Sequence, residues 1–191
     1  LEGQPLRRRL SEGPLAPDEF RTIFRAVLDA MRYAHEQGVV HRDLKPENVI
    51  VSTSGQIKIV DFGIAQAEQD GATRLTRAGL ALGTPGYSAP EQVAGFGGDA
   101  RSDLYAVGVM FAEMATGRHP LADDAPPLPT EIASIVTRAL ATEPRQRYQS
   151  AREFLAALET PVRRSNTAQR WWAFHQGAAI AFYVDRKSTR L

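Results

Sequence analysis

The sequence predicts a mainly α fold of the α+β class, and three segments carry this prediction. An amphipathic pattern over 20–37 predicts a surface helix, and an almost wholly apolar pattern over 103–116 predicts a helix buried on all sides. Between them, two β-branched runs at 49–51 and 56–60 flank a short polar turn and predict a β-hairpin. We therefore expect helices packed around one central helix, with a small hairpin beside them.

The ends of the first predicted helix are marked by residues that favour helix termini. Pro17 pre-sets the backbone of a first turn, and Asp18 and Glu19 suit the positive end of the helix dipole. Gly38 can adopt the left-handed conformation that stops a helix. The apolar residues at helical spacing, which predict one buried face, are Phe20, Ile23, Phe24, Val27, Leu28, Met31 and Ala34.

The C-terminal part of the chain predicts a long irregular segment followed by further helices. Residues 63–91 are rich in small and polar side chains without either period, which predicts a surface segment of functional importance. After a proline-rich stretch at 120–129, the segments 131–141 and 150–158 predict two amphipathic helices. We therefore expect the domain to span 1–158.

Composition and charge exclude several classes of function. The 191 residues are 43% hydrophobic and 24% charged, as in one soluble globular domain. A formal net charge of +1 gives no excess of positive charge for a phosphate backbone, so we predict no nucleic-acid partner. The absence of cysteine excludes disulfides, thiolate nucleophiles and sulfur-ligated zinc. No signal-peptide pattern opens the chain.

Three motifs carry the chemistry of this sequence. They are His-Arg-Asp-Leu-Lys-Pro-Glu-Asn at 41–48, Asp-Phe-Gly at 61–63, and Gly-Thr-Pro-Gly-Tyr-Ser-Ala-Pro-Glu at 83–91. In this order, with a hairpin between the first two, they resemble the catalytic loop, metal-binding triplet and substrate-side loop of protein kinases. The lysine of the first motif resembles the serine/threonine branch, of bacterial type. The resemblance implies a kinase C-lobe whose hairpin carries the catalytic and metal-binding loops.

The resemblance implies transfer of the terminal phosphate of ATP to a protein hydroxyl, with Mg²⁺ as the metal. Asp43 would orient or accept the hydroxyl proton, and Lys45 would place a positive charge beside the transferring phosphate. Asn48 and Asp61 supply hard oxygen ligands that suit a magnesium ion shared with nucleotide phosphates. Ile50 resembles the residue that packs under the adenine ring, although simple core packing explains it equally well.

Four further residues are predicted to be regulatory. Arg42, beside the catalytic aspartate, resembles the arginine that pairs with a phosphorylated activation segment, and a plain surface charge is the alternative. Thr73 and Thr76 are the candidate phosphate acceptors. Thr84 resembles the loop threonine that hydrogen-bonds to the catalytic aspartate and lysine.

A last set of residues is predicted to have structural roles: His41, Phe62, Gly63, Glu91, Asp103 and Arg147. His41 and Phe62 resemble members of a stacked hydrophobic spine. Glu91 and Arg147 resemble a distant pair that forms a buried ion pair. Asp103 resembles an aspartate that accepts backbone hydrogen bonds from the catalytic loop, while helix N-capping is the plainer interpretation and both can hold.

The sequence departs from a whole kinase in one respect. A kinase also needs a glycine-rich loop, a strand lysine and a helix glutamate, and none can be placed in the 40 residues before His41. Residues 1–10 resemble the chain just past the interlobe hinge, so we expect the N-lobe to be absent and the 191 residues alone to be inactive.

A pseudokinase scaffold is the alternative function, and the intact set of catalytic residues argues against it. A small-molecule kinase is disfavoured by the loop at 83–91. The stretch 121–130 is shorter than the region that carries a docking helix in the family.

The segment 159–191 is predicted to be a basic linker followed by an apolar aromatic tail. The apolar run at 171–184 has 14 residues, too few to span a bilayer as it stands. Paired tryptophans and the preceding arginines suggest the start of a membrane helix with its arginines on the cytoplasmic side. An interfacial or packed helix is the alternative. The sequence thus predicts a cytoplasmic protein that acts on a protein substrate, with a membrane anchor at the cytoplasmic face if the tail inserts. Residues 185–191 interrupt the apolar run and carry no interpretation.

Overall fold

The computed structural model describes residues 3–62 and 86–159, and about half of these residues are helical. The strands are β1 (Gly3–Pro5), β2 (Val49–Ser52) and β3 (Ile57–Ile59). The helices are α1 (Leu6–Leu10), α2 (Pro17–Glu36), α3 (Pro90–Val93), α4 (Ala100–Thr116), α5 (Thr130–Ala139) and α6 (Ala151–Glu159). Two 3₁₀ turns lie at Pro46–Asn48 and Pro144–Gln146.

Helix α4 forms the centre of the fold. All of its residues from 102 to 114 are buried, which an apolar helix without a polar face requires in water. It packs against both α2 and α5. The prediction of a central buried helix is therefore confirmed, with a start that lies earlier than Asp103, at Ala100.

Helix α2 buries the face that its apolar pattern predicts. Its buried residues are Phe20, Ile23, Phe24, Val27, Leu28, Met31 and Ala34. The ring of Phe24 stacks on Phe111 of α4 with centroids 3.8 Å apart, and the ring of Phe154 in α6 meets Phe24 edge-on at 5.4 Å. This aromatic cluster holds α2, α4 and α6 together.

The small sheet is antiparallel and has the strand order β1-β2-β3. The predicted hairpin is present, with Val49 paired to Ile59 and Val51 paired to Ile57. Strand β1 adds to its other edge, with Gly3 opposite Ser52. A Cβ atom at Gly3 would lie 2.8 Å from the carbonyl oxygen of Val51, so this close approach requires glycine.

Several element bounds differ from the sequence-based expectations. The segment predicted to be irregular up to residue 91 ends earlier, because α3 begins at Pro90, and its residues 63–85 lie outside the described ranges. Helices α5 and α6 stand where the two C-terminal helices are predicted, with ends shifted by one or two residues. Within the described ranges, no helix has the length and apolar character needed to cross a bilayer. The tail at 160–191 lies outside them.

Candidate active site

Three of the four residues predicted to carry the chemistry share one hydrogen-bonded turn. The Nζ atom of Lys45 donates to Oδ2 of Asp43 at 2.7 Å. The side-chain amide of Asn48 donates to the backbone oxygen of Asp43 at 2.9 Å, and the backbone N–H of Asn48 donates to the carbonyl of Lys45 at 2.9 Å. Because Asn48 bonds through its amide nitrogen, its amide oxygen is the atom that could ligate a cation.

The fourth residue, Asp61, follows a strand end that is bonded to this turn. The N–H of Val60 donates to the carbonyl of Asn48 at 2.9 Å, and the Nε2 atom of His41 lies 2.9 Å from the carbonyl oxygen of Val60. Asp61 itself is exposed and has a φ of 57°, a left-handed conformation that is uncommon outside glycine. The backbone immediately before Asp61 is therefore bonded to both ends of the motif at 41–48.

Asp103 of α4 supports the chain just before the turn that holds Asp43, Lys45 and Asn48. Its carboxylate accepts the backbone N–H of His41 at 2.8 Å through Oδ2 and that of Arg42 at 2.8 Å through Oδ1, and Nε2 of His35 lies 2.9 Å from Oδ2. Arg42 has a φ of 69°. A residue in such a sparsely populated backbone conformation persists only when its surroundings hold it there. The hydrogen bonds from the N–H groups of His41 and Arg42 to the buried Asp103 carboxylate hold this backbone in place.

Asp103 does not cap α4, so that part of the prediction is wrong. The N-cap is Asp99, whose carboxylate accepts the N–H of Arg101 at 2.8 Å, while Oγ of Ser102 accepts the N–H of Asp99 at 3.2 Å. The sequence has two aspartates that could cap this helix, Asp99 and Asp103. Asp99 is the cap, because its backbone N–H also bonds reciprocally to Ser102. Asp103 lies inside the helix, where its side chain contacts His41 and Arg42.

Glu91 and Arg147 lie in direct contact. The guanidinium donates to Oε1 of Glu91 at 2.8 Å and to Oε2 at 2.7 Å, and Oγ of Ser102 donates to Oε1 at 2.7 Å. Burial alone would raise the pKa of Glu91, but the hydrogen bonds from Arg147 and Ser102 outweigh it and lower that pKa below its ordinary value. The pair fastens the start of α3 to the turn before α6.

Some of the remaining predicted residues lie within residues 3–62 and 86–159, and others lie outside these ranges. His41 is fully buried, with its ring centroid 4.8 Å from that of Phe62. Ile50 is partly buried in β2, opposite Lys58 and Pro5. Four predicted residues lie outside the described ranges: Gly63, Thr73, Thr76 and Thr84.

Sequence reasoning missed two sets of contacts around the turn. The amide of Gln92 in α3 donates to the carbonyl of Arg42 at 2.8 Å and so joins α3 to the motif at 41–48. Arg7 of α1 contacts both Tyr87 and the buried Glu113. The only signal for these in the sequence is Glu113, a charged residue inside the apolar run of α4, where a carboxylate needs a partner.

The oxygen donors at this site fit magnesium. Asn48 and Asp61 offer an amide oxygen and a carboxylate, the hard ligands that Mg²⁺ prefers. Among residues 3–62 and 86–159, no three His, Asp or Glu side chains group into a ready-made metal site. Magnesium normally completes its shell with waters and substrate phosphates, so two protein ligands are sufficient.

The family model described as the protein kinase domain matches residues 1–170, and the chain belongs to this family. The predicted resemblance to bacterial-type serine/threonine kinases is confirmed by the curated relatives.

Three of these relatives illustrate the match. A probable serine/threonine-protein kinase of Corynebacterium efficiens is 35% identical over 83% of this chain, and one of Streptomyces coelicolor is 36% identical over 83%. The serine/threonine-protein kinase PknB of Mycobacterium tuberculosis is 34% identical over 78% of the chain. The chain spans 28%, 27% and 27% of the lengths of these three relatives.

Proposed function

We propose that this chain is the C-terminal lobe of a serine/threonine protein kinase, which transfers the terminal phosphate of ATP to a protein hydroxyl. The observation that carries the proposal is the contact between Lys45 Nζ and Asp43 Oδ2 at 2.7 Å, in a turn that also bonds Asn48. The relatives named serine/threonine-protein kinase support the same function.

The turn suits a reaction that depends on positioning and charge. The Asp43 side chain is 39% exposed, so a substrate hydroxyl can reach its carboxylate, which orients and accepts the hydroxyl proton. The Lys45 ammonium beside it offsets the negative charge of the transferring phosphate. Magnesium, held by Asn48 and Asp61, would supply the charge neutralisation that brings nucleotide phosphates to this turn.

We expect the 191 residues alone to have negligible transfer activity. A glycine-rich loop, a strand lysine and its helix glutamate hold the ATP phosphates in this family, and no segment of the sequence supplies them. Binding of ATP to the chain should accordingly be weak. Magnesium-dependent phosphorylation by the purified chain would contradict this proposal.

The test compares Asp43→Asn with Asp29→Asn in a longer protein that adds the upstream coding sequence. Asp29 lies on α2 with a 53% exposed side chain, so its substitution makes the same chemical change away from the turn. We expect Asp43→Asn to lower phosphate transfer from labelled ATP by about 100-fold or more and Asp29→Asn to leave it within twofold. A wild-type protein that binds ATP without any transfer would identify a pseudokinase scaffold and overturn the proposal.

Two proposals concern segments outside the described ranges. Thr73 and Thr76 would accept phosphate, and the phosphate groups would pair with Arg42. Mass spectrometry of the active protein would detect the phosphorylation at these two positions. The tail at 171–184 would associate with the cytoplasmic face of a membrane. Recovery of the longer protein in the aqueous fraction after cell lysis would count against the tail proposal.

A further inference from the structure

Segments far apart in the sequence meet at the guanidinium of Arg7. Its Nε donates to Oε1 of Glu47 at 2.8 Å, its Nη1 to Oε1 of Glu113 at 2.6 Å, and its Nη2 to the hydroxyl oxygen of Tyr87 at 2.5 Å. The Tyr87 hydroxyl donates to the other carboxylate oxygen of Glu113. One side chain of α1 is thus bonded to the turn at 46–48, to the middle of the third motif and to the central helix.

The buried member of this network is Glu113, whose side chain is 7% exposed. An ionised carboxylate at such a depth needs a cation and hydrogen-bond donors, and Arg7 and Tyr87 provide them. Burial and the neighbouring Glu113 raise the pKa of Tyr87 above its ordinary value, so its hydroxyl stays protonated and remains a donor. Arg7 and Glu113 therefore form a central ion pair, and the side chains of Glu47 and Tyr87 bond to it.

The two attached side chains belong to two different segments of the proposed site. Glu47 sits in the turn Pro46–Asn48, one residue before the proposed metal ligand Asn48. Tyr87 belongs to the motif that resembles the substrate-side loop, and its ring meets the ring of His119 edge-on at 5.0 Å. The N–H of Ala89, two residues later, donates to the side chain of Gln92 at 3.0 Å.

We propose that Arg7 is a positioning residue that fixes the substrate-side segment 86–89 relative to the metal-side turn 46–48. A buried ion pair is weak evidence for added stability, because well-packed apolar side chains often replace it without loss. What apolar side chains cannot replace is a planar group with donors directed at three separate segments. The kinetic consequence of this inference rests on the proposed function, whereas the mechanical link between the two segments does not.

Hydrogen exchange on the 191-residue chain tests the mechanical link without any need for activity. Arg7→Met removes the three contacts, and Arg9→Met is the matched control because Arg9 lies on the same helix and pairs with Glu12 and Glu19 at the surface. We expect Arg7→Met to speed exchange at the bonded amides of Asn48 and Ala89 at least tenfold relative to amides of α4. Arg9→Met should leave that ratio within twofold.

Equal acceleration at every amide in Arg7→Met would show a purely structural role, and no acceleration would show no link. Either result overturns the proposal. If Arg7→Met fails to fold, Tyr87→Phe is the second variant, since it keeps the pair of Arg7 with Glu113 and removes one hydroxyl. It should speed exchange at Ala89 and leave Asn48 unchanged, and acceleration at both or at neither overturns the proposal.

Kinetics of the longer protein then test the consequence for substrate. At saturating ATP, we expect Arg7→Met to raise KM for the protein substrate about tenfold, Arg9→Met to leave it within twofold, and Arg7→Lys to restore part of the loss. An unchanged KM for the protein substrate in Arg7→Met would contradict a role in positioning the substrate side. If the exchange result holds and the wild-type protein transfers no phosphate, the proposed function fails while the mechanical link stands.

Discussion

Arg147 and Glu91 meet through two side-by-side hydrogen bonds of 2.8 and 2.7 Å, although 56 positions separate them in the sequence. The Arg147 side chain is fully buried. Its other hydrogen bonds reach the carbonyls of Ala141, at 2.7 Å, Thr142, at 2.9 Å, and Arg101, at 3.3 Å. One guanidinium therefore satisfies a carboxylate and three backbone oxygens, and it fixes where α3 stands relative to the C-terminal helices.

Arg147→Met should destabilise the chain strongly. The substitution leaves the Glu91 carboxylate without its cation and removes the guanidinium donors from the three carbonyls, and breaking a buried pair in this way costs about 3–5 kcal/mol. Urea unfolding followed by circular dichroism measures the loss. The control is Arg145→Met in the 3₁₀ turn just before Arg147, where the side chain is 82% exposed and the change should stay within about 0.5 kcal/mol. Equal effects of the two substitutions would show that the pair is not a structural anchor.

The same pair should make stability depend on pH in the acid range. The folded-state pKa of Glu91 lies below its ordinary value of 4.5, so its contribution is fully present above pH 4.5 and is lost as pH falls through the lower folded-state pKa. Glu91→Gln should flatten the stability profile below pH 4.5, and Ser102→Ala, which removes one of the bonds, should flatten it partly. Urea midpoints measured between pH 3 and pH 6 provide the check. A Glu91→Gln profile as steep as that of wild type would contradict this assignment.

Local patterns predict the helices here because burial repeats with the helix period. The buried residues of α2 are the apolar ones that its sequence pattern selects, and the unbroken apolar run of α4 corresponds to burial on all sides. Strand β1 has no such signal, and in α1 the signal is a single pair of buried leucines four residues apart, Leu6 and Leu10, which is too short to predict a helix. The segment Gly3–Pro5 becomes a strand because it pairs with β2, far along the chain, and neither glycine nor proline favours a strand by itself.

The candidate site was predictable where its residues are close in sequence. Asp43, Lys45 and Asn48 lie within six positions, and one turn brings them together. The contacts of Arg7 span 40 positions to Glu47 and 106 to Glu113. No periodicity or spacing encodes partners at such separations, because only the packed fold places them side by side.

Asp103→Asn should loosen the backbone at His41 and Arg42, just before the turn that holds the proposed catalytic residues. The carboxylate accepts two backbone N–H groups and contacts a histidine ring, whereas an asparagine offers one oxygen and turns its NH₂ group toward donors. Losing a charged acceptor at a buried site costs about 3 kcal/mol. Amide exchange at His41 and Arg42 should quicken more than exchange at the centre of α2.

Asp99→Asn is the matched control for that substitution. Asparagine caps helices about as well as aspartate does, and the exposed ion pair with Arg101 is worth at most about 1 kcal/mol. Unfolding of the two variants should therefore differ by about 2 kcal/mol or more, with Asp103→Asn the less stable. Equal stabilities would mean that the carboxylate of Asp103 has no special role in holding the turn.

Gly108→Ala should destabilise the packing of α4 on α5, against the ordinary preference for alanine in a helix. Alanine gains about 1 kcal/mol of helix propensity, but its Cβ would lie 2.6 Å from the Cβ of Ala139 and 3.3 Å from Cδ2 of Leu140. Forcing the helices apart costs about 1–3 kcal/mol, so the clash outweighs the propensity. The double variant Gly108→Ala/Ala139→Gly removes the closest contact and should be more stable than the sum of the two single changes by about 1 kcal/mol. Urea unfolding of all four proteins gives this coupling, and strict additivity would show that the helices separate at little cost.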